Sequence, residues 1–181
     1  MSLDLTIYGK ETRKVTGTGV FVRSNGTIYE LQTLEEVKDA LPDSDISHIQ
    51  VREYETNQIC DLNMTHNLTD MARHIPCGKT DAYHLLWHPE LIWPEHMFTK
   101  HYETEYFSGE AEYMRLHVEW VKCVDEAWKY AAGHEEELSA FNPDNGWGCY
   151  EQLLGAMKKI RTALSTVPEA DYPDCYIDIS V

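Results

Sequence analysis

The spacing of apolar residues changes near Asn67 and changes back near Cys175, and this double switch restricts the fold more than any other feature of the chain. Before Asn67 the period is two. Leu3 to Tyr8 alternates, and Gly17 to Val22 leads through Ser24-Asn25-Gly26 into Thr27 to Leu31, with Asn-Gly supplying the positive-φ pair of a hairpin turn. Thr33-Leu-Glu-Glu36 is a capping box, opening a short helix that Pro42 stops after Leu41. His48 to Tyr54 alternates again, and Gln58 to Met64 is the predicted returning strand of a second hairpin.

After Asn67 the period lies between three and four. Leu68, Met71 and Ala72 fit one short helix, and Asp81 caps another that runs through Leu85 and Leu86 until Pro89. Tyr113, Leu116, Trp120, Val124, Ala127 and Ala131 form one stripe, which predicts a long helix from Ser108 or Gly109 to Ala132. A further helix covers Tyr150 to Thr166, and Cys175, Ile177, Ile179 and Val181 then alternate as a closing strand. A lone strand cannot satisfy its own backbone groups, so it must join the N-terminal sheet. The prediction is a single α+β domain over residues 1–181: a mainly antiparallel sheet, built from the N-terminal hairpins and the C-terminal strand, covered on one face by three or four helices. Residues 1–63 are its strand-rich part, 64–168 its helical part and 174–181 its closing strand.

With 43% hydrophobic and 11% aromatic residues the chain is too apolar for a disordered acidic tail. Thirty-one acids against fifteen Lys and Arg leave a net charge of −16, a surface that repels phosphate backbones and anionic membranes. Direct nucleic-acid binding and membrane association are therefore disfavoured. The N-terminus lacks the pattern of a signal peptide, and the five cysteines are scattered with no Cys-x-x-Cys pair, which predicts reduced thiols and a cytoplasmic location. The Asn-x-Thr matches at Asn25, Asn63 and Asn67 are accordingly chance ones.

Three features bear on chemistry. Six of nine histidines (His66, His74, His84, His88, His96, His101) fall within thirty-six residues, and His84 and His88 have the spacing that lets two imidazoles share a metal, with Glu90 or His66 to complete it. The zinc-protease glutamate is missing after His84, however, and hydrogen-bonded or solvated histidines are the favoured reading. Cys149 sits where a helix N-terminus would activate a nucleophile. Gly146-Trp147-Gly148-Cys149 resembles the nucleophile segment of autophagy-type and ubiquitin-like-modifier-processing cysteine peptidases, but those enzymes place their histidine after the cysteine and none follows His134 here. A tight turn with Trp147 folded back as a plug over the helix start is the structural alternative. Finally, Tyr102 to Ala140 holds ten acids, among them Glu103, Glu105, Glu110, Glu112, Glu119, Glu135, Glu136 and Glu137. Along a helix such a density imitates the charge spacing of a nucleic-acid backbone, or else solvates one face.

Met64-Thr-His-Asn-Leu68 with Met71-Ala72, Ala82-Tyr-His-Leu-Leu-Trp-His-Pro-Glu90 and Phe141-Asn-Pro-Asp-Asn-Gly-Trp-Gly-Cys-Tyr150 together resemble a family of small bacterial and phage-borne proteins of uncharacterised function. The likeness runs from Asn63 to Val181, departing from the family at the longer link His74 to Thr80, at His88, where a basic residue is usual, and at Cys149. It singles out His66, Asn67, Trp87, Pro89, Glu90, Asn142, Asn145 and Trp147 as residues that line a pocket or hold loops. Size, charge and this resemblance together imply a non-enzymatic accessory protein, monomeric or homodimeric and needing no cofactor. It would bind a basic protein or nucleoprotein complex through its acids, as a phage inhibitor of a host defence complex such as a CRISPR effector would. The alternative is a small hydrolase-like enzyme using His66 and Glu90, with or without a metal at His84 and His88, or Cys149 as nucleophile.

Overall fold

A computed structural model describes residues 2–24, 27–94, 98–102 and 110–180. It is an α+β fold built on a five-stranded antiparallel sheet in the order β4-β1-β9-β8-β7. The strands are β1 (Ser2–Gly17), β4 (Arg52–Thr65), β7 (Phe98–Tyr102), β8 (Glu110–Arg115) and β9 (Tyr176–Ser180). The closing strand does join the N-terminal sheet: β9 lies between β1 and β8, pairing Leu5 with Ile179 and Met114 with Ile177.

Alternation decides which face is covered. Leu3, Leu5 and Ile7 of β1, Cys60, Leu62 and Met64 of β4, Met114 of β8 and Ile177 of β9 are all buried, while Asp4 is exposed and Thr6 and Tyr8 are only half-buried. Two long helices supply most of the opposing layer. From α4 (Val118–Gly133) come Trp120, Val124, Ala127 and Ala131, and from α6 (Tyr150–Leu164) come Leu153, Met157, Ile160 and Leu164, each set at helical spacing. Each fully buried Leu or Ile in this layer contributes about 1.5–3 kcal/mol. Shorter helices α2 (Thr69–Arg73) and α3 (Ala82–Trp87) complete the core with Met71, Leu85, Leu86 and Trp87. Two buried polar bonds join the parts: Trp120 Nε1 donates to the Leu85 carbonyl at 3.1 Å and the Tyr150 hydroxyl to the Ala131 carbonyl at 2.8 Å.

The capping signals are realised as read. Thr33 and Glu36 form both halves of the box that opens α1 (Leu34–Ala40), and the Asp81 carboxylate accepts the His84 amide at 2.9 Å to open α3. The first hairpin also forms, with β2 (Phe21–Ser24) and β3 (Thr27–Glu30) paired from Phe21↔Glu30 to Ser24↔Thr27, while Asn25 and Gly26 lie outside the described residues.

Two expectations are corrected. Residues 52–65 are one continuous strand, so Gln58 to Met64 does not return beside His48 to Tyr54; both lie along one side of β1, and His48 to Val51 precede the strand. Of the helix predicted from Ser108 or Gly109, those two residues lie outside the described ones, residues 110–115 are strand β8, and the helix begins only at Val118 under an N-cap from His117. Tyr113 and Leu116 fell into the helical stripe because a strand end and a helix start happened to place apolar residues three and four apart. Small hairpin β5 (Pro76–Cys77) with β6 (Thr80–Asp81), helix α5 (Glu135–Ser139) and 3₁₀ helices at His66–Leu68, Pro89–Leu91 and Glu169–Asp174 complete the described elements, among which no helix is long and apolar enough to cross a membrane.

Asp125 of α4 ties the two long helices. Its carboxylate accepts Arg161 Nε of α6 at 2.8 Å, pairs with Lys129, and lies beside an Arg161 guanidinium that covers the Trp128 ring at 3.9 Å. Lys129 first, and Arg161 after it, hold the Asp125 carboxyl below its ordinary 3.8. A depressed folded value stabilises fully above the unfolded titration and is lost as pH falls through the folded one. With a third of the side chain exposed, screening limits the effect to about 1 kcal/mol. Asp125→Asn therefore lowers stability at neutral pH in urea titrations, and its gap from the parent protein closes in acid once the folded carboxyl has titrated.

Candidate functional site

Two of the three motif blocks meet at the start of α6. Thr65, at the end of β4, caps a single 3₁₀ turn, His66–Leu68, and the Asn67 side chain donates to the Trp147 carbonyl at 2.9 Å across 80 residues of chain. The loop before α6 is fixed from inside as well. Asn142 accepts the Tyr150 amide at 2.7 Å, Asn145 the Trp147 amide at 2.9 Å and Gln152 the Gly148 amide at 2.8 Å. Gly148 has φ +91°, and a Cβ there would stand 2.7 Å from Asn67 Cβ and 3.0 Å from Thr65 Cγ2. Asn67, Asn142 and Asn145 thus hold the loop.

What the loop presents is Trp147, 58% exposed. It does not fold back over the helix start as a plug. Its backbone is clamped on both sides while its ring points outward, where the Arg23 guanidinium of β2 stands 5.0 Å from the ring centre. Arg23 is itself held by Asn63 Oδ1 at 2.7 Å, and Asn63 by Asp4 Oδ1 at 2.5 Å, so a chain of polar contacts runs from the sheet to the indole. Sequence reasoning missed Arg23, since its contacts join the first hairpin to residues 40 and more positions away.

The third block forms a separate cluster. Trp87 and Pro89 are buried, and Tyr83 stacks on Trp87 with ring centres 6.0 Å apart and lies under the Arg73 guanidinium at 4.0 Å. His84 and His88 flank Tyr83 edge-on, at 5.1 and 5.2 Å. His84 Nδ1 is 3.0 Å from each Asp81 oxygen, and His88 Nδ1 is 3.0 Å from Glu90. His88 is past the last helical residue, and among the described residues no group of three His, Cys, Asp or Glu side chains is placed to hold a metal ion. His66 is exposed and no hydrogen bond joins it to Glu90, whose recorded partner is His88.

Cys149 is the N-cap of α6, half-buried. Its thiol shares a hydrogen bond with Glu151, whose carboxyl is held below its usual range by its own backbone amide first and then by that thiol. The other thiols are not nucleophiles in waiting: burial pushes Cys60 and Cys77 up to about 12 and raises Cys123 and Cys175.

The acids fall into separate groups. Glu103 and Glu105 lie outside the described residues, and Glu110 and Glu112 belong to β8 and not to the helix. Glu119 opens α4, while Glu135, Glu136 and Glu137 open α5 beyond its far end, about 24 Å away at 1.5 Å per residue, with Lys122 and Lys129 between. The acids therefore do not run as one stripe along a single helix. All four of these glutamates are exposed, and the Lys and Arg ion pairs among the described residues go to aspartates instead, those of Lys10, Arg73, Lys129 and Arg161 to Asp171 and Asp174, Asp70 and Asp125.

No family model, curated protein or solved structure matches the chain.

Gly148→Ala should destabilise the fold by about 2 kcal/mol, from positive φ and the Asn67 clash together, whereas Trp147→Ala should stay within about 0.5 kcal/mol of the parent in urea titrations. Alkylation read by peptide mass spectrometry gives a second test. For a thiol moved from 9.0 to about 12, the thiolate at pH 8 drops on the order of a thousandfold, so Cys60 and Cys77 stay unmodified until the protein is unfolded.

Proposed function

We propose that this chain is a non-enzymatic binding protein that docks on a basic protein or nucleoprotein complex, with Trp147 as its anchor and exposed glutamates as its charge. The observation that carries the reading is an exposed tryptophan on a loop pinned by hydrogen bonds on both sides of the indole. A large ring whose backbone is already ordered loses little entropy on binding, and such residues dominate interface energies. The ring already takes one guanidinium, from Arg23, and its open surface suits a second from a partner.

Charge supports the same partner. Residues 135–147 carry Glu135, Glu136, Glu137 and Asp144 and no Lys or Arg, so the anchor lies at the end of an acidic stretch. Carboxylates at α5 and at Glu119, separated by the length of α4, replace phosphates at two places in a Lys- and Arg-lined channel. A phage-type accessory protein that blocks a host nucleic-acid-targeting defence complex, such as a CRISPR effector, uses chemistry of this kind.

Capture from a bacterial lysate with the parent protein, Trp147→Ala and the triple Glu135, Glu136, Glu137→Gln variant tests the proposal. The parent retains a basic protein whose nucleic-acid binding it abolishes, retention falls steeply from low to high salt, and each variant loses at least about tenfold in affinity. Equal capture by all three proteins, or a complex indifferent to salt, refutes it.

A further inference from the structure

Among the described residues, a grouping of exposed aromatics lies at the outer end of the sheet. Beyond Tyr8 the register of β1 on β4 shifts, Tyr8 facing Gln58 and Arg13 facing Thr56, and the two strands continue as a ribbon out to Gly17↔Arg52. The β2–β3 hairpin packs beside this ribbon. Glu30 secures it, accepting the Tyr54 hydroxyl at 2.7 Å and the Gly19 amide at 2.7 Å, and a Cβ at Gly17 would collide with that carboxylate. Phe21, Tyr29 and Tyr54 are left 63%, 45% and 43% exposed, lining a concavity of about 580 Å³ between hairpin, ribbon and α6.

A second concavity of about 430 Å³ continues from the first over α6, and the two share Arg13, Ile59 and Lys159. Lys158 stands at its far side, so three cations of a strongly acidic protein gather in one trough. The trough's two carboxylates are engaged, Glu30 as above and Asp61 with the Thr6 hydroxyl at 3.2 Å, and two of its cations are positioned by backbone carbonyls, Arg13 donating to Gln58 at 3.1 Å and Lys159 to Asp61 at 2.6 Å. A glycine also lines the trough. Gly155 is inside α6, where glycine weakens a helix, yet a Cβ there would meet nothing within 4 Å. Packing does not require that glycine, and its effect is to leave backbone open at the floor.

We infer that this trough binds a nucleoside phosphate, its base against Phe21 and Tyr54, which lie on the Glu30 face of the hairpin, and its phosphates on Arg13, Lys158 and Lys159. Every nucleobase offers a flat face to aromatic side chains, and each compartment is of the size that small-molecule sites occupy. Local cations within a Debye length govern the phosphate end, whatever the charge of the remote surface.

Isothermal titration of the intact protein with ADP, adenosine and pyrophosphate tests the assignment. ADP binds at least about tenfold more tightly than either fragment, Lys158→Gln weakens ADP and leaves adenosine unchanged, and Gly155→Leu reduces ADP affinity by about tenfold or more. Gly155→Ala, which raises the melting temperature while keeping ADP binding, shows that Leu acts by filling the trough. The assignment is overturned if ADP binds no better than pyrophosphate, if Gly155→Leu binds ADP as the parent does while melting normally, if a single-stranded oligonucleotide outcompetes ADP, or if no heat appears up to millimolar ADP.

Discussion

Strand β1 is hydrogen-bonded along both edges, to β4 on one side and β9 on the other, and the remaining elements take their positions from it. Its alternation places Leu3, Leu5 and Ile7 under the helical layer and leaves Asp4 outside, where Asp4 starts the polar chain through Asn63 and Arg23 to Trp147. Past the register shift the same strand leaves the core and, with β4, becomes one wall of the aromatic trough. One strand therefore supplies core and anchor support from the two faces of its first stretch and the groove from its second.

The chemistry of the surface follows from how few cations this chain has and where they are committed. Lys10, Arg73, Lys129 and Arg161 are held by aspartates, Arg161 and Arg73 additionally cover the rings of Trp128 and Tyr83, and Arg23, held by Asn63, covers that of Trp147. Arginine suits this double duty because its planar head pairs and stacks at once. Glutamates at the start of α4 and of α5 face solvent, and the Arg13, Lys158 and Lys159 grouping is set apart from them along the trough. Two opposite kinds of surface thus coexist on one small domain.

Local rules were legible in the residues and distant partnerships were not. The Thr33 box, the Asp81 cap, the first hairpin and the closing strand depend on residues a few positions apart or on unmet backbone groups, and each was readable. Residues 110–117 were misassigned because apolar spacing of three and four crosses a strand-to-helix boundary unmarked by glycine or proline. Trp147 was misplaced because its outward pose is set by Asn67, 80 residues earlier. The three motif blocks were recognisable as units, yet only the structure divides them into a clamped loop at α6 and a Tyr83-centred cluster at α3.

The central position of β9 has a consequence for how the molecule comes into being. Its residues, 176–180, are translated after every other strand, yet they fill a slot between β1 and β8, with Tyr8 opposite Tyr176 at a separation of 168 residues. Until that segment clears the ribosome, both neighbours carry open edges, and the nascent chain needs protection from pairing with other polypeptides.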